Sequence, residues 1–504
     1  MRLFKILFIF GFLEFVLWGC GGGGGGGETS FTPTGKIIAV AEKSGSNVTI
    51  KVGGTKGAAP SGSTVQVTDI NTQVTQTTTA AADGSFDPTF TGSTSDVFRV
   101  VVSNNGFTVT NTTIGVTIIS QAVKRNLAHL GSFPAQIEIH GNRVYVVNGG
   151  SDNIQIFDLD QDPPKEIGTI VLPPGSDPVA ITFLSNTQAY VANLAGQSVA
   201  LVNVQTGQCE FLIVRSDHVP SNSSICQNQE TVDTQFFEDP SGIAVANGKV
   251  YVTNSNLDAF FNPAGNGFIT VIDTQTNRVI SRIDTTGVNS GSITPVHGNL
   301  YVVNSGHTIF NQTTGAFSCD SKFPPSIDVI NPKSDTIVDT IDIPLSPSNP
   351  SVCLPNVLEP TPDGRFGYIG LGLVGALLKV DLKNNAIING TSNPIVLTDL
   401  SRLNFTADIK IRADGLGFTT LFNTDQIAVI DTSTDTINPF PFIAPFPSGL
   451  RADNPSSEIF DGVQNLAIRP GKPGTDFQGA DIFFITGISQ ELGSINTALV
   501  LPPE

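Results

Sequence analysis

Residues 251–254 read Tyr-Val-Thr-Asn and residues 271–277 read Val-Ile-Asp-Thr-Gln-Thr-Asn, and this pair of short stretches decides the fold. Each is typical of a β-strand that ends in a turn, because aromatic and β-branched residues favour strands while Asp, Thr and Asn favour turns. The first stretch recurs. All five tyrosines of the 504-residue chain head a copy of it, namely Tyr145, Tyr190, Tyr251, Tyr301 and Tyr368. Phe418 and Phe484 take that position in a sixth and a seventh copy.

The spacing within the copies is regular. In six copies a second strand ends in Asp or Asn, at Asp158, Asn203, Asp273, Asn331, Asp381 and Asp431. The separation from the aromatic residue is 13 residues in four of these six copies, and 22 and 30 residues in the other two. With one strand before and one after, each copy holds four short strands, and copies start 45 to 67 residues apart. Such units predict propeller blades. The Asn of each Tyr-Val-x-Asn is expected to cap the next turn.

We predict an all-β chain with a seven-bladed β-propeller over residues 121–504. The last copy, near residues 463–500, lacks an outermost strand, whereas residues 121–130 fall where such a strand belongs. Residues 121–130 are therefore predicted to complete the final blade and close the ring, which leaves no sheet edge open. The quoted stretches closely resemble the YVTN family of β-propeller repeats, found in bacterial and archaeal surface proteins. That resemblance implies the fold.

Residues 35–119 predict a small β-sandwich that precedes the propeller. Strand-like stretches at residues 48–52, 64–67 and 98–102 alternate with turns rich in Gly, Ser, Asn and Asp. The segment resembles bacterial immunoglobulin-like (Ig-like) modules. Those modules are mostly spacers or adhesive stalks, so the resemblance implies a spacer here.

The N-terminus predicts export and a lipid anchor. A short basic region precedes an apolar run at residues 6–18, which is too short to span a bilayer comfortably. The run ends before Cys20 in a pattern that resembles the bacterial lipobox. We therefore predict a lipoprotein signal peptide over residues 1–19 and a lipidated Cys20 that begins a Gly-rich tether over residues 20–34. An ordinary secretory signal is the alternative. Gly21 favours the outer membrane, because Asp at that position is commonly linked to inner-membrane retention.

Composition limits the partners and the redox state. Lys and Arg number 26 against 44 Asp and Glu, and this net charge of -18 predicts no nucleic-acid partner, because nucleic acid would be repelled. Beyond Cys20 the chain has an even number of cysteines, which in an exported protein predicts disulfide bonds. Cys319 and Cys353 fall in loops on the same face of the predicted propeller, so we expect them to pair with each other. Cys209 then pairs with Cys226 by elimination. The expected role of both disulfides is to stabilise the fold.

The long insertions are predicted to lie on one face of the propeller, because all of them fall either between the second and third strands or between blades. They cover residues 215–238, 256–266, 306–324, 344–355 and 438–461. Loops on a rigid scaffold often carry function. The candidate binding face consists of phenylalanines in or beside these insertions, namely Phe236, Phe237, Phe260, Phe261, Phe310, Phe442 and Phe446. They predict either an apolar recognition patch or a cap in which they pack on one another.

The central channel should be lined by the first strand of each blade. Alternation along these strands points Glu138, Asp408 and Lys410 inwards, where they could bind an ion or polarise a substrate. A solvated channel needs polar walls in any case. No Ser-His-Asp arrangement, phosphate-binding loop or metal-spaced cluster is visible in the sequence, so we predict no catalytic residue, no metal and no cofactor.

The sequence thus predicts a non-enzymatic lipoprotein of the cell envelope. Its lipid anchor would attach the protein to the membrane, and loops on one face of the propeller would bind another envelope protein or a surface polymer. An exported propeller enzyme, lactonase-like or quinoprotein-like with a site at the channel, is the alternative. The absence of Trp from the predicted mature chain weighs against the quinoprotein version, whose blades generally carry tryptophan motifs.

Overall fold

The structure of the protein is a computed structural model. It describes residues 37–44, 47–54, 58–82, 84–93, 95–116, 118–160, 165–313, 316–398, 400, 403–424, 426–437, 463–468, 482–486 and 492–501. The predicted signal peptide, the lipidated Cys20 and the tether lie outside these residues, as do Phe442 and Phe446. The described residues contain 39 strands, no α-helix and three short 3₁₀ helices, at Ser223–Ile225, Thr234–Phe236 and Phe422–Thr424.

The N-terminal part consists of two sheets around one core. Its strands are β1 (Ile37–Ser44), β2 (Asn47–Gly54), β3 (Thr64–Asp69), β4 (Thr75–Thr79), β5 (Thr89–Thr91), β6 (Val97–Asn104) and β7 (Phe107–Gly115). One sheet has the order β4-β3-β6-β7, and the other runs β8-β1-β2-β5, where β8 is Ile118–Ser132. Val65 and Val100 of the first sheet pack with Ile50 of the second. Alternation along β3 and β6 explains this, because every second side chain faces inwards.

Four-stranded antiparallel sheets follow along the chain. The first sheet contains β9 (Pro134–His140), β10 (Arg143–Asn148), β11 (Asn153–Asp158) and β12 (Lys165–Val171). The second contains β13 (Pro178–Phe183), β14 (Gln188–Asn193), β15 (Ser198–Asn203) and β16 (Gln208–Arg215), with β17 (Cys226–Val232) added in parallel to β16. The third contains β18 (Pro240–Ala246), β19 (Lys249–Asn254), β20 (Phe268–Asp273) and β21 (Arg278–Asp284).

The remaining sheets repeat this plan with additions. The fourth contains β22 (Ser290–Val296), β23 (Asn299–Asn304), β26 (Ser326–Asn331) and β27 (Thr336–Asp342), and the hairpin β24 (Thr308–Asn311) and β25 (Ala316–Cys319) lies between its middle strands. The fifth contains β28 (Pro355–Pro360), β29 (Phe366–Leu371), β30 (Ala376–Asp381), β31 (Ala386–Asn389) and the short β32 (Ile395–Val396). The sixth contains β33 (Ile409–Ile411), β34 (Leu416–Leu421), β35 (Gln426–Asp431) and β36 (Thr436–Ile437).

The last sheet combines the two ends of the repeat region. Its strands β37 (Val463–Ile468), β38 (Ile482–Thr486) and β39 (Leu492–Leu501) are completed by β8, which pairs antiparallel with β39. The prediction that residues 121–130 supply this strand is confirmed. The first strand of each sheet contacts that of the next, and β37 contacts β9. The sheets therefore form a closed ring, the arrangement of a β-propeller.

The repeated tyrosines join each sheet to the next. Tyr251 Oη donates to the carbonyl oxygen of Pro332 at 3.0 Å and to Asp335 Oδ1 at 2.6 Å. Tyr301 Oη donates to Leu382 O at 2.8 Å and to Asn385 Oδ1 at 3.0 Å. The acceptors Asp335 and Asn385 both lie in the turn that follows the third strand of the next sheet. Each buried ring thus fills the space between two sheets while its hydroxyl fixes their spacing.

The asparagine of each repeat has a different role from the predicted one. Asn254 and Asn304 are fully buried, and their Nδ2 atoms donate to Thr270 Oγ1 at 3.1 Å and to Asp328 Oδ2 at 2.9 Å. These acceptors belong to the third strand of the same sheet. The asparagines therefore cross-link two strands at the edge of the ring instead of capping the following turn.

Candidate functional site

The innermost strands are bonded to one another around the ring by their side chains. Each of these side chains reaches the backbone of the first strand of the next sheet. The pairs are Gln136 Oε1 with Ile181 N at 2.7 Å, Ser241 Oγ with Ser290 O at 2.9 Å, Thr294 Oγ1 with Leu358 O at 2.9 Å, Asp408 Oδ2 with Leu466 N at 2.9 Å, and Asn465 Oδ1 with Ile137 N at 3.0 Å. Much of the polarity of the channel wall therefore serves to hold the ring together.

A charged cluster lies at the centre of the ring. Lys410 on β33 places its Nζ atom 3.6 Å from Asp408 Oδ1 and 3.8 Å from Glu359 Oε2 on β28. Glu138 on β9 contributes a third carboxylate, which interacts electrostatically with Lys410. The three candidates predicted for the channel are thus brought together. Lys410 and Glu359 keep 26% and 21% of their side-chain surface exposed although protein surrounds both, as expected of groups in a narrow channel.

Burial and mutual charge set the protonation of this cluster. Burial alone would lower the pKa of Lys410, but the carboxylates of Asp408, Glu359 and Glu138 raise it above its ordinary value. Burial raises the pKa of Glu359 to about 7, against the opposing effect of the Lys410 charge. Burial also raises the pKa of Glu138 and of Asp408. Lys410 therefore stays charged and cannot act as a nucleophile near neutral pH, whereas Glu359 can exchange a proton there.

Glu359 is the member of the cluster that the sequence analysis missed. It lies on the first strand of the fifth sheet, next to Pro360 and the turn at residues 362–364. The sequence held the signal for this residue, because Glu359 stands in the same register to Tyr368 as Glu138 does to Tyr145. Among the described residues, no group of three or more His, Cys, Asp or Glu side chains has an arrangement that could hold a metal ion.

Each of the two disulfides holds an inserted segment in place. Cys319 is bonded to Cys353, which joins β25 to the linker before β28, and Cys209 is bonded to Cys226, which joins β16 to β17. Both predicted pairings are confirmed. Around the first bridge, Cys319 N donates to Pro350 O at 2.8 Å. The insertions of the fourth sheet and the linker that follows therefore form one connected surface.

The predicted phenylalanine face divides into buried and exposed members. Phe237 is fully buried, so its assignment to a binding face is wrong and it belongs to the core between the second and third sheets. Phe236 packs against the same core, and the Phe310 ring packs on Phe317 with centroids 4.9 Å apart. Phe261 is partly buried. Phe260 is 80% exposed. Of the described members, Phe260 is therefore the one most open to a partner.

The described part of the chain contains no helix that is long and apolar enough to cross a membrane. Disulfide bonds persist in oxidising surroundings, so the two bridges indicate a location outside the cytoplasm.

Comparison with solved structures returns propeller-containing proteins at low identity. The chain resembles hydrazine synthase of Kuenenia stuttgartiensis, with 14% identity, a TM-score of 0.47, and coverage of 74% of this chain and 96% of the other. It resembles a streptogramin B lyase, with 15% identity, a TM-score of 0.47, and coverage of 75% and 97%. It also resembles the Pan2 WD40 domain of Neurospora crassa, with 10% identity, a TM-score of 0.44, and coverage of 73% and 89%. Similarity at this level carries no argument about function.

No protein-family model and no curated protein matches the sequence. The resemblance to the YVTN family and to Ig-like modules therefore stays a prediction.

Proposed function

We propose that this chain is a non-enzymatic lipoprotein of the cell envelope, anchored through Cys20, whose propeller binds another envelope protein. The ring of sheets described above would be a seven-bladed propeller of the YVTN type over residues 121–504. The N-terminal sandwich, residues 35–119, would be an Ig-like spacer that holds the propeller away from the membrane. The looped face would carry the binding surface.

The observation that carries this proposal is the rigid presentation of Phe260. The Asp258 carboxylate accepts hydrogen bonds from Phe260 N at 2.8 Å and from Asn262 N at 2.9 Å, and Asp258 N donates to Asn262 O at 2.8 Å. The loop is thus ordered while its aromatic tip remains in solvent. A preordered aromatic side chain loses little conformational entropy on binding and gains a large apolar contact, which is typical of interface hot spots.

The test compares two exposed phenylalanines. Two full-length variants are each used to recover partners from solubilised envelope. One carries Phe260→Asp, and the other carries Phe107→Asp at a residue of the sandwich that is 75% exposed. The affinity of the recovered protein is then measured with purified components. We expect Phe260→Asp to weaken binding by about 30-fold or more, as for a hot spot of about 2 kcal/mol, and Phe107→Asp to leave it unchanged. Equal affinity for both variants would refute the proposed surface.

The channel cluster supports a second candidate, an exported propeller enzyme of lactonase-like or quinoprotein-like character. Glu359, whose pKa is raised to about 7, would suit general acid–base chemistry. Elemental analysis and absorbance spectroscopy of the purified protein distinguish the candidates. A bound metal or chromophore that Glu359→Gln releases would favour the enzyme, whereas a colourless, metal-free channel would favour the binding module.

A further inference from the structure

A small cavity lies beside the second sheet, on the predicted looped face. It is enclosed by the linker that joins β12 to β13, the turn between β14 and β15, and the segment that follows β16. Its volume is about 260 Å³. Sites that enclose a whole small molecule usually measure about 300–1,000 Å³. The cavity therefore has the size to receive one long side chain of a partner.

The walls of the cavity are mostly apolar and rigid. Pro173 and Pro174 come from the linker, Leu212 and Val214 from β16, and Pro220 from the segment that follows β16. Proline side chains have no rotamer freedom to lose, so such a wall is preformed for binding. The methylene groups of a long side chain would leave water when they lie against it.

One charged carboxylate, that of Asp217, lines the cavity with 51% of its side chain exposed. Its Oδ1 atom accepts from Arg215 Nε at 2.7 Å and from His218 Nδ1 at 2.8 Å. Within the described part of the chain, Oδ2 receives a single long contact, from Arg215 Nη2 at 3.4 Å. The hydrogen bond from His218 lowers the pKa of Asp217 below its ordinary value, and Arg215 adds to this effect. The carboxylate therefore stays charged, and Oδ2 can accept a further donor.

The surrounding charge favours a cation over an anion. Two carboxylates, Asp217 and Glu238, share the guanidinium group of Arg215. Only 9% of the Arg215 side chain is exposed, and its Nη1 atom also donates to Phe237 O at 2.7 Å, so it is held away from solvent. The whole chain carries a net charge of -18. A basic group is therefore attracted to this cavity, whereas an acidic group is repelled.

The cavity and the Phe260 loop share one support. Glu238, which contacts Arg215, donates through its backbone N to Asn254 Oδ1 at 3.0 Å. Its carbonyl oxygen accepts from Asn256 N at 3.2 Å. Asn256 begins the inserted loop that carries Phe260. The two features therefore belong to one connected part of the looped face.

We propose that this cavity accepts a lysine side chain of the envelope protein that the propeller binds, an inference that rests on the proposed function. The aliphatic stem would lie against the prolines, and the ammonium group would bind Asp217 Oδ2. Lysine fits better than arginine, because a compact ammonium group needs one oxygen atom whereas the arginine fork matches both oxygens of a carboxylate. Here Oδ1 already has two donors.

The experiment uses short peptides, so the partner need not be identified. The full-length protein in detergent is titrated with acetyl-Gly-Gly-Lys-Gly-Gly-amide, or with the same peptide carrying norleucine in place of lysine. Binding is followed by saturation-transfer NMR at about pH 8, where histidine is ordinarily neutral, with detergent alone as the blank. We expect a Kd of about 1 mM for the lysine peptide and binding about 10-fold weaker for norleucine, which cannot donate to the carboxylate.

Two variants and one control assign the site. Asp217→Asn should weaken binding of the lysine peptide by about 10-fold, and Ala195→Leu, which adds volume inside the cavity, should weaken binding of both peptides. Asp284→Asn should bind as the wild type does, because Asp284 pairs with Arg282 at the same sequence spacing, at 2.7 Å, outside the cavity lining. The proposal is overturned if the wild type binds both peptides equally or neither, or if Asp217→Asn binds the lysine peptide as tightly as Asp284→Asn does.

The peptide test is independent of the test of the Phe260 surface. Phe260 does not line the cavity, so Phe260→Asp should bind the lysine peptide as the wild type does. A wild type that recovers its envelope partner without binding the peptide would remove the lysine site alone. Normal peptide binding with equal partner affinity for Phe260→Asp and Phe107→Asp would remove the Phe260 surface alone.

Discussion

At the scale of single residues, the tyrosines that define the repeat owe their regularity to a polar contact as well as to burial. The equivalent acceptor positions are Asn277, Asp335, Asn385 and Asp435, and all four have left-handed backbones with φ between 51° and 57°. Asn and Asp tolerate this conformation and offer a side-chain oxygen, so one residue type satisfies both demands. In the second sheet the equivalent turn position is Gly207, which also has a left-handed backbone but has no side-chain oxygen to accept a hydrogen bond.

Removing one such hydroxyl should destabilise the ring. We expect Tyr251→Phe to lower the free energy of unfolding by about 1–2 kcal/mol, because Pro332 O and Asp335 Oδ1 each lose a donor. Urea denaturation followed by circular dichroism measures the change. Tyr145→Phe is the matched control, since the turn it faces carries Gly207, and its loss should be smaller. Equal losses would show that burial of the ring alone accounts for the repeat.

Asp177, a buried residue immediately before β13, should make stability depend on pH. In the folded chain its carboxyl keeps its proton up to about pH 7, whereas the unfolded chain releases it near the ordinary pKa of 3.8. The folded state therefore binds more protons in this window, and stability falls as the pH rises from about 4 to about 7 and stays level above that. The loss is on the order of a few kcal/mol. Urea denaturation at a series of pH values should show this decline, and Asp177→Asn should remove it.

A matched substitution isolates this effect from general surface charge. Asp239→Asn changes the equivalent residue at the junction between the second and third sheets, immediately before β18, where the carboxyl already accepts a hydrogen bond from the Gln197 amide. It should leave the decline in place. A pH profile of Asp177→Asn that matches the wild type would mean that other groups cause the decline.

At the scale of elements, the additions to the basic sheets depend on covalent links. Strand β17 pairs in parallel with β16, with Cys209 opposite Cys226 in register, and the bridge closes a short loop. The double variant Cys209→Ser, Cys226→Ser should lose about 3 kcal/mol of stability, as chain entropy predicts for a loop of this length. Hydrogen exchange should show that β17 loses protection first. The intact Cys319–Cys353 bridge serves as an internal control.

The core strands were predictable from sequence, and the additions were not. The second strand of each sheet is buried on both faces, as in β14 and β19, so its apolar run is recognisable without its neighbours. Strand β17 reads Cys-Gln-Asn-Gln-Glu-Thr-Val and has no such run, because it lies at an edge where solvent accepts polar side chains. Glu359 was predictable as well, since it pairs with Tyr368 within one sheet as Glu138 pairs with Tyr145, and aligning the strand before each repeated aromatic residue places it in the channel.

At the scale of the whole molecule, the ring depends on strands from opposite ends of the repeat region. The register of β8 with β39 joins Ala128 to Ile495, and the first strand of the last sheet also contacts β9. A chain truncated after residue 491 loses β39 and should open the ring. We expect non-cooperative thermal unfolding and faster proteolysis. Truncation after residue 501, which keeps β39, should retain a single transition, and cooperative unfolding of both forms would argue against closure by β8.

Strand β8 also fixes how the molecule bears mechanical load. It runs parallel to β1, with Val40 opposite Ile118 and Lys43 opposite Gln121, and then continues into the ring. A pull applied between the start of β1 and the end of β8 draws the two strands past each other along their length. Every hydrogen bond of that ladder would then be strained at once instead of breaking one after another. The connection between sandwich and ring is thereby built to resist tension along the chain.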